Sequence, residues 1–125
     1  MTTLPPHSRV RKLTLDGTPL RLHMGRDREA LVAWMIKRGV APRCDAVIEQ
    51  MPALAERLMP VLQPIFPHTA GVFTFQRDGS VWFSMTRDKD TRCAFLRVDP
   101  ALVPPMCPGC ETAAATERLA RKALN

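Results

Sequence analysis

Tyrosine is absent from the 125 residues, so the aromatic content rests on two Trp and five Phe. Long apolar runs are absent too. The longest, Ala30 to Ile36, covers seven residues, whereas a membrane-spanning helix needs roughly twenty. A spanning helix is therefore excluded. The opening residues, among them Pro5, Pro6, His7 and Arg9, lack the apolar stretch of a secretory signal, so a cytoplasmic protein is expected. Glycine is scarce, with six residues, and none builds a loop that could cradle phosphate; Gly71 and Gly79 read as turn residues. No complete catalytic signature occurs, and His7, His23 and His68 each lack a recognisable acid–base partner. An enzyme is not expected.

What is present is enough for a core. Hydrophobic residues make up 46% and charged residues 24%, which excludes a disordered tail, and the length suits one domain spanning 1–125. Twelve prolines cut the chain into short elements. Four cysteines without an export signal point to reduced thiols, a metal site or redox chemistry rather than structural disulfides.

Charge is the informative quantity. Eighteen Lys and Arg against twelve Asp and Glu leave +6, a sign that favours acidic partners. The excess is lopsided. Arg9, Arg11, Lys12, Arg21, Arg26, Arg28, Lys37, Arg38 and Arg43 face only Asp16, Asp27 and Glu29 in the first third, and the remaining charges cancel. Fourteen of the eighteen cations are Arg, whose planar fork suits phosphate and carboxylate. The plainer explanation is a basic surface that only keeps the protein soluble.

Local patterning predicts an α+β domain of order ββααβββα: an N-terminal hairpin, two to three central helices, a three-stranded antiparallel meander and a C-terminal helix. Alternation around Asp16-Gly17 predicts the hairpin over 9–24. Asp27 is placed to cap a helix that Gly39 closes. A second helical pattern runs from Asp45 to Leu62, with Pro52 and Pro60 expected to split or kink it. For the meander over 72–98, a three-residue Arg77-Asp78-Gly79 loop groups Phe73, Phe75, Val81, Phe83, Met85, Ala94, Leu96 and Val98 on one face. Arg87-Asp88-Lys89-Asp90 reads as a solvated turn, and the last helix as 111–124 with Leu119, Ala120 and Leu124 apolar.

Candidate sites follow. Cys107-Pro108-Gly109-Cys110 opens the last helix, and Cys44 and Cys93 could complete a four-sulfur zinc site. The same motif can be redox-active at a helix N-terminus, or a plain Pro-Gly turn with small buried cysteines. The outer face of the meander would carry Trp82 and Phe95 beside Arg97 and Gln76, with Arg92 or Arg87 at the rim; such a surface stacks bases or anchors a protein, unless helices cover it and both aromatics are core. Two helices flanking Gly39 have the layout of a helix-turn-helix, but Asp45, Glu49 and Glu56 would oppose phosphate. The hairpin with Arg9, Arg11, Lys12 and Arg21 is the better phosphate-facing surface. The expectation is a small non-enzymatic binding protein whose basic surface (Arg9, Arg11, Lys12, Arg21, Arg26, Arg28, Trp82, Arg97) engages nucleic acid, a nucleoprotein complex or the acidic groove of a protein, acting as regulator, adaptor or inhibitor. No small-molecule substrate and no membrane partner are expected. The alternative is a zinc-stabilised or thiol-dependent domain built around Cys107 and Cys110.

Overall fold

The computed structural model describes residues 9–41, 43–68, 70–86 and 92–124. His7, the rim residue Arg87 and the turn over 87–90 lie outside them. The described chain is a mixed α+β fold in which one five-stranded antiparallel sheet carries helices on both faces. No helix among the described residues is long and apolar enough to cross a membrane.

The hairpin forms as its turn chemistry dictates. Strands β1 (Arg9–Leu15) and β2 (Thr18–Gly25) are joined by Asp16 (φ 50°) and Gly17 (φ 83°), the two left-handed residues whose twist matches that of the flanking strands. Leu13 pairs with Leu20 and Arg11 with Leu22, so Leu13, Leu15, Leu20 and Leu22 share one face. Arg57 of the third helix closes on Asp16 at 2.9 Å and ties this turn to the helical layer.

Helix α1 (Arg28–Arg38) starts where Asp27 accepts the Ala30 amide at 3.0 Å and stops at Gly39, φ 81°. The second helical run divides into α2 (Asp45–Ile48) and α3 (Met51–Leu62). Pro52 sits in the first turn of α3, where its missing N–H is not needed, whereas Pro60 lies inside and does not end the helix. Three central helices therefore stand between the hairpin and the meander.

Strands β3 (Ala70–Phe75), β4 (Val81–Thr86) and β5 (Cys93–Val98) form that meander. Phe75 pairs with Val81, the Gln76 amide donates to the Ser80 carbonyl at 2.9 Å, and Gly79 has φ 91°. This is the three-residue loop, and it sets the face grouping expected from the sequence. Gly71 is not a turn residue: it lies in β3 facing the Phe83 ring, which occupies the space a Cβ would need. The meander is not separate from the hairpin, because β2 pairs with β5 to give the order β1-β2-β5-β4-β3.

Two cores result. On one face Leu54, Leu58 and Leu62 of α3 pack on Leu22, Met85, Leu96 and Val98; each such fully buried aliphatic chain stabilises the fold by about 1.5–3 kcal/mol. On the other face Leu31 of α1, flanked by Trp34 and Met35, covers Trp82, Cys93 and Phe95. Because α1 and the α2–α3 pair occupy opposite faces, they do not form a helix-turn-helix unit.

The last helix, α4 (Pro108–Leu124), begins earlier than expected, at the proline of the cysteine motif. Pro108 takes the first helical position, and Cys107 Sγ accepts the Cys110 amide at 3.4 Å in the manner of a cap. Leu119 (69% exposed) and Ala120 point outward rather than into a core; the side chain of Leu124 lies outside the described set.

Candidate functional site

Strand alternation divides the basic residues of the hairpin. Arg9 and Arg11 stand in line with Leu13 and Leu15, on the α3 face of the edge strand, whereas Lys12 points to the α1 face. Lys12 pairs with Arg21, Arg21 with Arg97, and Arg97 with Trp82. Lys12, Arg21 and Arg97 therefore form a row across three adjacent strands, about 4.8 Å apart from strand to strand. All three are exposed, and none forms a salt bridge among the described residues. Like charges directly opposite one another weaken a sheet, so the row is electrostatically unfavourable unless anions gather on it.

The neighbours register that field. His23, buried on the same face two residues along β2 from Arg21 and stacked on Phe95 at 5.6 Å, has its pKa lowered from 6.5 by burial first, then by Arg21 and Arg97. Arg38 lies 4.7 Å over the Trp34 ring, donates to Gln76 Oε1 at 2.6 Å and pairs with Asp78; burial, with Arg97 adding, lowers its pKa.

The remaining candidates are distributed elsewhere. Arg26 follows β2, Arg28 opens α1, and Arg9, Arg26 and Arg92 border an open groove of about 550 Å³ together with Asp27. Arg43 is held by Asp45 at 2.7 Å. Trp82 is not a surface residue. It is 2% exposed, meets Trp34 edge-on at 5.3 Å, and spends its indole N–H on Ser80 Oγ at 3.1 Å; α1 covers it, and Phe95 with it, because the apolar stripe of α1 needs that face. Both aromatics are core and neither offers a stacking platform.

The cysteines sort by face as well. Cys93 is buried beside Trp82 and Phe95, away from the motif, so it cannot join a site with Cys107 and Cys110; burial pushes its thiol pKa up. Cys44 does join them. The chain crosses the end of the sheet after α1, with Val40 bridging to Gln76 and the Ala41 amide donating to the Phe75 carbonyl at 2.7 Å. This leaves Cys44 at the start of α2, beside the start of α4. Its Sγ is 4.0 Å from that of Cys107, and the three sulfurs of Cys44, Cys107 and Cys110 all lie within 4.8 Å of one another. All the cysteines are free thiols.

Within the cluster the charge is unevenly held. Amide donation from Cys107 first, then Val47, lowers Cys44 to about 7 despite its burial. Cys110 is pushed up to about 12, chiefly by its hydrogen bonds with Cys107 and Cys44. One thiol thus gives up its proton near neutrality while another keeps it. A cavity of about 230 Å³ borders Cys44, with walls that are mostly apolar and with Arg43, Gln76 and Ser80 as further polar residues.

No protein-family model, curated protein or solved structure matches the chain. The functional reading therefore rests on the site geometry.

Proposed function

We propose that this protein is a non-enzymatic binding protein that engages the phosphate backbone of a nucleic acid through the α1 face of β1, β2 and β5. The observation that carries the reading is the cross-strand row Lys12–Arg21–Arg97, in which three exposed cations are held close together without a carboxylate of their own among the described residues. A nucleic-acid strand carries one negative charge per step of a few ångströms, a spacing a row of strand-borne cations can follow, and the guanidinium forks of Arg21 and Arg97 can donate paired hydrogen bonds to phosphate oxygens. The net charge of +6 adds long-range attraction.

The burial of Trp82 and Phe95 shapes the mode of recognition. Neither ring is available for bases to stack on, so binding is through phosphates and tolerant of sequence. Roles as regulator or adaptor by occlusion fit such a surface, as does inhibition of a protein whose acidic groove normally holds nucleic acid. Affinity capture of the intact protein, with and without nuclease, tests the reading. Partners that depend on nucleic acid are expected to disappear after nuclease treatment; a partner that survives it points to an acidic protein groove instead.

A further inference from the structure

We infer that Cys44, Cys107 and Cys110 bind one zinc ion through three thiolates and that this ion fastens the C-terminal helix to the body of the fold. The site is independent of the cationic row and lies off the face that carries it. Three lines of geometry converge on it. First, the ligands come from two segments 63 residues apart in sequence, so neither a local turn nor a capping motif accounts for their meeting. Second, the spacing fits a metal and not a bond. A tetrahedral zinc with Zn–S near 2.3 Å holds its sulfurs about 3.8 Å apart; Cys44 and Cys107 stand at 4.0 Å, about twice the length of a disulfide. Third, the backbone amide of Cys110 donates to the Cys107 sulfur at 3.4 Å. Donors of this kind orient thiolate ligands and offset their charge.

The placement of α4 shows what the ion does. Past its first turn the helix is largely exposed, and Arg77 reaches Glu117 at a loose 3.8 Å. Its firm attachment is the turn that carries Cys107 and Cys110, set against buried Cys44. When zinc binds, each thiol passes its proton to solvent and the three thiolates share one divalent cation. The fourth coordination place is taken by water, since no further His, Cys, Asp or Glu joins the cluster among the described residues.

The test uses the full chain made without a histidine tag in zinc-supplemented medium. Elemental analysis is expected to give about one zinc per chain, and X-ray absorption a first shell of about three sulfurs and one lighter atom. Cys44→Ser and Cys107→Ser are expected to lower the bound zinc to below about a tenth of an equivalent. Cys93→Ala, on the opposite face, keeps it. Because a ligand variant can unfold, the wild-type protein supplies a second readout. Chelation of its zinc is expected to speed amide exchange at least tenfold across 108–124 while the sheet stays protected. Zinc-free wild-type protein with four titratable thiols overturns the inference, as does a metal shell with fewer than three sulfurs. Unchanged exchange in α4 after chelation overturns the fastening role.

Discussion

Arg21 and Arg97 stand opposite each other across the β2–β5 ladder, two guanidinium groups of like charge at a paired position, and Lys12 extends the row onto β1. A sheet selected for stability alone would place opposite charges there or none. Like charges at a paired position repel, and an anion bound between them would relieve that repulsion.

Neutralising one member separates the two effects. Arg21→Thr keeps a good strand former and removes the opposition, so its thermal midpoint is expected to equal or exceed that of the wild type, while elution from a heparin column moves to lower salt. A fall in midpoint with unchanged elution would mean that Arg21 serves packing.

His23 reports on the same field through pH. Its pKa is lowered in the fold, so the unfolded chain takes up the proton near pH 6.5 while the folded chain takes it up only at lower pH. The contribution is fully present above that value and is lost as pH falls through it toward the folded pKa. Urea midpoints measured downward from about pH 7.5 are expected to decline by up to one proton's worth, and His23→Gln removes that part. Binding of a polyanion beside Arg21 and Arg97 is expected to raise the His23 pKa, which imidazole proton shifts would follow directly.

Trp82 distinguishes a core from a surface. Its truncation to Ala removes a ring packed among Trp34, His23 and Phe95 and is expected to cost about 3–5 kcal/mol by chemical denaturation. An exposed stacking residue would cost almost nothing.

Gly71→Ala tests the packing of the meander. The added methyl group would overlap Phe83 Cζ and lie 2.9 Å from Cε1, so a loss of about 1–3 kcal/mol from overpacking is expected. Phe83→Leu in the same background is expected to restore part of it by making room.

Local chemistry made much of this legible in the sequence. Asp16-Gly17, the Asp27 cap, Gly39 and the Arg77–Gly79 loop each depend on two or three neighbouring residues, and each element formed where those residues require it. The rest depends on pairings between distant segments. Nothing near Arg21 indicates that β2 pairs with β5, so the row with Arg97 is not legible in the sequence. The same pairing puts Cys93 on the α1 face, and only the path from Val40 to Cys44 around the sheet end decides that Cys44, rather than Cys93, reaches Cys107. Trp82 was ambiguous for a related reason: alternation assigns its face, but not whether a helix covers it.

The cationic row is tested most directly by the salt dependence of binding to a fluorescent DNA duplex, compared for the wild type, for Lys12→Ala/Arg21→Ala/Arg97→Ala and for Arg9→Ala/Arg11→Ala. At about 0.9 per phosphate contact, the slope of log K against log salt is expected to flatten by about two to three units in the triple variant and to change by less than half as much in the double variant, whose side chains point to the opposite face. A wild type that does not bind the duplex at low salt, or two variants that lose slope in proportion to charge alone, would contradict it.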